Sequence, residues 1–557
     1  MKQLSIGGHD YKEFIEKNYY YVDKTLLVKE LFTFGGKVTL LPRPRRFGKT
    51  LNLSMLRYFF EKSSQDTSYL FVNTAIWQEK EYHAYQGQYP VVFITFKNIK
   101  ELNWSDSYEK CSDLIAQEFG RHRYLLNASL PTDIAEKYQS ILEKKASQAT
   151  LEGSLLFLTE LLYNHYQKNV VVLIDEYDTP ISASYHNNYY EKLISFMRSL
   201  LGAVLKDNYF LERGVVTGIM RIAKESIFSG LNNLSIGSVT DNFFQDKFGF
   251  TPLEVQTMLT QYNMTDKEQD IKNWYNGYTF GTQIIYNPWS ILNCIQRDGE
   301  LDLYWANTSD NALVRKLIAR GGISVKKELE KILSSQSTPQ EIDEGVVFPG
   351  IEHNDRAIWS ILLYTGYLTN IKKEKVNKIM MYDLAIPNEE IGLLYTRLIR
   401  DIWESTLSTD KIRTLLEAFT EGDTETFADI LQEFIFKSMS LFDFSPEDPE
   451  QSYHLFILGL LVNLSSTHEV KSNRESGKGR SDILIIPHNS NQLGLVLEFK
   501  KVSTPKGQTL ESAAQAALDQ IKDKQYAQEL LNRGIKKIQL IGIAFDKKEI
   551  LVKAENM

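Results

Sequence analysis

Apolar runs that end abruptly, each followed by a stretch with helical spacing, dominate the first half of the chain. Residues 37–41 form one such run, and Leu51, Leu53, Met55, Leu56, Phe59 and Phe60 then recur on a helical period. Residues 89–96 repeat the strand signal with β-branched and aromatic side chains, and residues 170–174 are a purely aliphatic run that stops at Asp175. Between them, residues 105–167 read as a helical insertion. A fourth run covers residues 214–218. Buried strands alternating with helices predict a parallel α/β sheet whose ligands sit beyond the C-terminal strand ends. Ahead of the first strand, residues 11–34 read as a Tyr-rich, helix-like approach.

The second half has a different rhythm. Residues 250–345 are mainly helical, with turns at Trp274-Tyr275-Asn276-Gly277-Tyr278 and Asn287-Pro288-Trp289. Residues 358–363 read as a short helix, and residues 367–371 with 378–386 as a hairpin, a winged-helix-like combination. Residues 388–440 return to amphipathic helix. Phe442-Asp443-Phe444-Ser445-Pro446-Glu447-Asp448-Pro449 then breaks the pattern and reads as a linker. Beyond it the pattern predicts a helix over 453–464, strands over 481–487 and 493–500 joined by a turn, one helix over 513–531 and a closing strand over 538–545. The expected divisions are 1–250, 251–345, 346–442 and 451–557.

At 557 residues the chain is too long for one hydrophobic core. Its 43% apolar and 24% charged content is that of an ordinary globular protein, which excludes a largely disordered chain. The net charge of −8 argues against a surface that coats nucleic acid throughout, yet charge is unevenly spread. Residues 468–557 carry 15 Lys and Arg against 11 Asp and Glu, a balance of +4, which leaves −12 for the rest. Cys111 and Cys294, the only cysteines, are too few for a disulfide framework or a cysteine-based zinc site. The longest apolar run, residues 455–464, is about half of a membrane span, so a cytoplasmic protein is expected.

Candidate chemistry gathers first at Arg43-Pro44-Arg45-Arg46-Phe47-Gly48-Lys49-Thr50, where the first strand gives way to a helix. Unpaired N–H groups and the dipole at a helix start favour an anion. Lys49 would reach the β- and γ-phosphates of a nucleotide and the Thr50 hydroxyl would hold Mg²⁺, as in a Walker A loop. Arg43 stands where that pattern has its first glycine, and Pro42 and Pro44 lack an N–H. Arg45 and Arg46 would replace the missing backbone contacts with side-chain charge. The alternative is a basic turn before a helix. Asp175, at the end of the aliphatic strand, would ligate the same Mg²⁺, and Glu176 would orient or deprotonate the attacking water. Thr217, at the end of the fourth strand, is a candidate γ-phosphate sensor, and Arg221 a candidate arginine finger; their alternatives are a capping hydroxyl and a solvated arginine.

A second constellation follows the linker. If the 481–500 hairpin is symmetric about Ser490, facing positions add to 980 and Asp482 lies opposite Glu498. Glu498 and Lys500 share a face, with Phe499 on the other. Two neighbouring carboxylates suit Mg²⁺ or Mn²⁺, and Lys500 would position water and balance charge in phosphodiester hydrolysis. Glu469 and Glu475 are both candidates for a third acid, and Arg474, Lys478 and Arg480 for phosphate contacts. The alternative is a surface hairpin in which Lys500 pairs with a neighbouring carboxylate.

Tyr21-Val22-Asp23-Lys24-Thr25, residues 43–50, Asp175-Glu176-Tyr177-Asp178, Tyr275-Asn276-Gly277-Tyr278, Asn287-Pro288 and Gly366-Tyr367-Leu368 together resemble the AAA-ATPase-like domain of a large bacterial family. Gly479-Arg480-Ser481-Asp482 with Glu498-Phe499-Lys500 is similar to the PD-(D/E)xK nuclease domain that follows in that family, although Ser481, not proline, precedes Asp482. The resemblance implies a P-loop NTPase-like sheet and a small α/β nuclease-like domain. It also implies ATP and Mg²⁺ as cofactors and nucleic acid, DNA above all, as partner. The expected activity is ATP hydrolysis coupled to metal-dependent phosphodiester cleavage, without membrane attachment and with oligomerisation open. The alternative is a nucleotide-switched signalling or nucleic-acid-binding protein.

Overall fold

A computed structural model describes residues 1–127, 130–220, 233–308, 311–345, 354–441, 450–476, 479–502 and 507–557, with backbone alone at 312, 450–452, 461, 472–476 and 479–482. The chain divides into two compact units. One comprises residues 1–308 with 340–390, the other residues 309–339 with 391–557. The 442–449 linker and Arg221 lie outside the described residues.

In the first unit, helices α1 (Tyr11–Glu16) and α2 (Leu27–Thr33) precede strand β1 (Val38–Pro42), which feeds helix α3 (Lys49–Phe60). Tyr19 to Thr25 are not helical, so the expected helix-like approach is two short helices around a loop. Strands β2 (Val91–Thr95), β3 (Val170–Asp175), β4 (Leu211–Gly218) and β5 (Leu234–Ile236) complete a sheet of order β2-β3-β4-β1-β5. Every neighbour is parallel, with Thr95 beside Asp175 and Leu41 beside Thr217. The aliphatic runs sit where they do because both sheet faces are covered: β1 and β3 are buried at every position. β5, three residues long, adds a strand to the four expected. Since β1 lies between β4 and β5, the sequence order of the strands reverses at β1, and a crevice opens there beyond the strand ends.

The middle region is helical, as its pattern predicts, with helices Pro252–Gln261, Glu268–Tyr275 and Pro288–Gln296. A small antiparallel pair, β6 (Tyr278–Phe280) and β7 (Gln283–Ile285), and a short strand β8 (Thr338–Glu341) accompany them. Helix Asp355–Thr365 ends at Gly366, whose φ of 89° suits a residue without Cβ. It leads into an antiparallel hairpin, β9 (Thr369–Val376) and β10 (Ile379–Ala385), turning at Asn377 and Lys378 with φ of 47° and 72°.

The second unit carries a five-stranded sheet: β11 (His468–Ser476), β12 (Gly479–Pro487), β13 (Leu493–Lys501), β14 (Lys537–Asp546) and β15 (Glu549–Asn556) in that order. Only β13 and β14 run parallel. The β12–β13 register pairs Ile483 with Leu497, Leu484 with Val496 and Ile485 with Leu495, the symmetry about Ser490 expected from sequence. The expected helix over 513–531 is two helices, Leu510–Asp523 and Gln528–Asn532. Gln525 breaks it with a φ of 56°, and the break turns Tyr526 into the core. The final strand is β15, one beyond the strand expected to close the chain.

Candidate functional site

Helix α3 starts at Gly48, which takes a φ of 85° as N-cap, a conformation that costs glycine nothing. The turn therefore points the first N–H groups of α3 into the crevice beyond β1. Lys49 is buried, and its Nζ donates to the carbonyls of Arg43 and Pro44, both at 3.0 Å. Burial pushes its ammonium below the ordinary lysine range, against the pull of Glu176, Asp178 and Asp175. Thr50 Oγ1 donates to Asp175 Oδ2 at 2.8 Å, and Thr217 Oγ1 donates to Asp175 Oδ1 at 2.8 Å. Burial raises the Asp175 carboxyl above the usual range, Glu176 adding to the effect and the two hydroxyls opposing it.

Glu176 has a φ of 50° and lines the cleft that also takes in Arg46, Gly48, Lys49 and Thr50. Arg46 lies over the Trp289 ring, 4.2 Å from its centroid. Arg45 is not among the cleft residues; its carbonyl accepts from Trp305 Nε1 at 3.1 Å. Lys49, Thr50, Asp175, Glu176 and Thr217 are thus together.

Arg43 is fully buried. Nη1 donates to the carbonyls of Pro42 and Gly237, Nη2 to that of Phe244, and the guanidinium lies over the Phe248 and Phe280 rings. It is a strut under the loop and does not line the cleft. Other parts of the first unit brace the same loop. Phe47 packs on Tyr278 and Phe280, and Gly366 lies so near Pro44 that a Cβ there would be 3.2 Å from Pro44 Cβ.

In the second unit, Glu498 is buried in the C-terminal half of β13. Gln520 Nε2 donates to its Oε1, and Lys500 Nζ lies 3.3 Å from the same oxygen. Lys500 Nζ also donates to Gln520 Oε1 at 2.6 Å, and Gln520 Nε2 reaches the Tyr526 hydroxyl at 3.2 Å. Gly542 explains how a helix comes so close: it pairs with Glu498 in the β13–β14 register, and a Cβ on it would sit 2.4 Å from the Ala514 carbonyl. The helix Leu510–Asp523 therefore lies directly on the sheet and delivers Gln520. The β12–β13 register, continued by one residue, sets the Asp482 backbone opposite Glu498; the Asp482 and Glu475 side chains lie outside the described residues. Glu469 is engaged by Arg533 at 2.6 Å and Lys471 at 3.3 Å. Among the described residues no group of three or more His, Cys, Asp and Glu side chains is placed to hold a metal, and no helix is long and apolar enough to cross a membrane.

Residues 5–228 match the family model described as a predicted AAA-ATPase, and residues 448–555 that of the PD-(D/E)XK nuclease superfamily. The chain joins an AAA-ATPase-like domain to a PD-(D/E)XK nuclease superfamily domain. A protein of Azotobacter chroococcum mcd 1, described as an uncharacterized protein in vnfD 5'region, is 26% identical over 562 residues, spanning 98% of this chain and 97% of its own length.

Within the AAA-ATPase-like domain, sequence reasoning missed two residues of the acid cluster. Thr95 Oγ1 is 3.2 Å from Asp175 Oδ2, and its signal was its place as the last residue of a buried strand. Asp178 Oδ2 accepts from the N–H groups of Ile219 and Met220 at 2.8 and 3.0 Å, tying the exit of β4 to the end of β3. Burial pushes its carboxyl up to about 6. In the nuclease-like domain, Gln520 was visible only as a polar residue on a predicted helix.

Proposed function

We propose that this chain binds ATP with Mg²⁺ at Gly48, Lys49, Thr50 and Asp175 and hydrolyses it, and that nucleotide state controls cation-dependent cleavage of nucleic acid, most of all DNA. The observation that carries the reading is the Thr50–Asp175–Thr217 cluster, where the first turn of α3 meets the C-terminal ends of the neighbouring strands β3 and β4 beside the buried Lys49. The Thr50 hydroxyl and Asp175 carboxylate are oxygen donors 2.8 Å apart, a set that fits Mg²⁺. When bound, Mg²⁺ would neutralise phosphate charge. The protein's own groups do the rest. Lys49 exchanges its two loop carbonyls for the β- and γ-phosphates, and its buried charge is stronger there than in water. Arg46 adds charge from the cleft wall. Glu176 orients or deprotonates the attacking water, while Thr217, bonded to Asp175, senses the γ-phosphate.

In the nuclease-like domain the proposed cation ligands are Asp482 and Glu498, with Mn²⁺ able to serve. Glu475 and Glu469 remain the alternatives for a third acid, and the ion pairs that occupy Glu469 favour Glu475. Lys500, held between Glu498 and Gln520, positions water and balances the charge of the attacked phosphodiester. The proposed partition is 1–250 for the nucleotide domain, 251–345 and 346–442 for the regions bracing it or following it, and 451–557 for the nuclease-like domain.

Two assays test the proposal. Calorimetry should show ATP·Mg²⁺ binding that Lys49→Ala abolishes, while Glu176→Gln keeps binding and loses turnover. Incubation with linear, circular and single-stranded DNA or RNA, in Mg²⁺ and in Mn²⁺, should show cleavage that vanishes in chelator. Equal ATP affinity in wild type and Lys49→Ala would reduce the loop to a basic turn. Nucleotide-dependent nucleic-acid binding without cleavage would identify the switched binding protein instead.

A further inference from the structure

We propose that the β9–β10 ribbon of the first unit is a contact surface for the backbone of duplex nucleic acid. Residues 371–380 are all exposed, whereas the strands of the first unit's parallel sheet from β1 to β4 are mostly buried. At about 3.3 Å per residue, the exposed arm from Ile371 to Val376 is roughly 20 Å long, and its two-stranded width is one that a duplex major groove of about 12 Å admits. Within residues 371–378 stand Lys372, Lys373, Lys375 and Lys378 against Glu374 alone, a local charge of +3 in a protein of −8. The register distributes these charges. Lys375 lies opposite Met380 and Lys373 opposite the buried Tyr382, on one face. Lys372 is on the other face and pairs with Glu374. Lys373 reaches the Thr240 carbonyl at 3.3 Å, so the base of the ribbon rests on its own unit. The side chains of Lys375 and Lys378 have no hydrogen bond or ion pair among the described residues and stand at the far end.

Charge complementarity selects the occupant. On one face Lys372 is neutralised by Glu374, so the charge of the ribbon's exposed tip is carried by Lys375 and Lys378, and cations at the tip of a narrow strand pair suit an anionic phosphate backbone. A protein partner would be favoured by apolar side chains gathered on one face. Here Met380 is on one face and Val376 with Ile379 on the other, at 40%, 44% and 45% exposure. Ile371, 57% exposed, stands at the other end of the arm, so these side chains do not gather into one apolar face.

The proposal shares its nucleic-acid partner with the reading above but concerns binding alone, so it is tested in chelator, where no cleavage occurs. Fluorescence anisotropy of labelled duplex DNA, duplex RNA and single-stranded DNA is measured with the full chain against salt. Lys375→Ala/Lys378→Ala should weaken duplex binding by tenfold or more at about 0.1 M salt and lower the log–log salt slope by about 2, since each phosphate contact contributes about 0.9. Lys375→Glu/Lys378→Glu should weaken it further. ATP binding by both variants verifies their fold. Duplex binding with unchanged affinity and slope would overturn the proposal and leave the catalytic reading standing. A loss confined to single strands, or wild type that binds no duplex, would overturn it as well. Absence of cleavage in the separate Mg²⁺ assay would leave the ribbon result intact.

Discussion

Arg43→Gly restores the glycine that a phosphate-loop pattern has at this position, and the structure says the restoration should be damaging. Keeping this guanidinium buried is costly: burial pulls it from the ordinary arginine range down to about 9, a fall equivalent to about 5 kcal/mol that truncation would recover. Against that stand three bonds from a charged donor, to the Pro42, Gly237 and Phe244 carbonyls, at about 2 kcal/mol each. Two ring contacts, with Phe248 and Phe280, add about 1 to 2 kcal/mol each. The losses exceed the recovery by about 4 kcal/mol, before any term for the emptied space. A change of that size in a unit of this length should lower its melting midpoint by roughly 10 °C. Arg43→Lys should recover little, because one ammonium cannot span Gly237 and Phe244 on different segments. Scanning calorimetry without nucleotide checks both. An Arg43→Gly protein that melts with wild type and binds ATP more tightly would refute the strut reading.

Two further substitutions probe the packing of each unit. Glu390, buried, accepts from the Ser290 hydroxyl and the Trp305 N–H, and burial raises its carboxyl to about 7. A raised acid binds its proton more tightly folded than unfolded, so stability should fall as pH rises from about 4.5 to about 7, by about 3 kcal/mol in all. Glu390→Gln should flatten that window in melting curves, and parallel wild-type and variant profiles would contradict it. In the second unit a Cβ on Gly459 would sit 1.6 Å from Cε2 of the buried Trp403, which stacks on Phe456. Gly459→Ala should therefore cost about 3 kcal/mol or more in urea unfolding, and an unchanged midpoint would show that this contact yields.

What could be read from the sequence follows the range of the forces involved. β1, β3 and α3 were legible because full burial writes aliphatic runs and a helical period into adjacent residues. The β12–β13 register was legible because a single turn fixes it. β11 and β15 were missed because their alternation is weak: β15 is half-buried along most of its length. β5 was missed because three half-buried residues carry little pattern. The site divides the same way. Lys49, Thr50, Asp175 and Glu176 announce themselves by position at strand and helix ends. Arg43 reads only as a departure from the glycine of a phosphate loop until Gly237 and Phe244, some two hundred residues on, are seen to receive it. Gln520 needs Gly542 to bring its helix onto Glu498, a dependence no local spacing contains.

The central claim is that one chain couples a nucleotide site to a nuclease site. It is tested most directly by following cleavage of a labelled DNA in Mg²⁺ with and without ATP, for wild type, Lys49→Ala and Lys500→Ala. ATP should change the wild-type rate, and Lys49→Ala should cleave but ignore ATP. Lys500→Ala should lose rate while ATP still binds. A wild-type rate that is the same with and without ATP, or cleavage that survives both Lys500→Ala and removal of the cation, would contradict it.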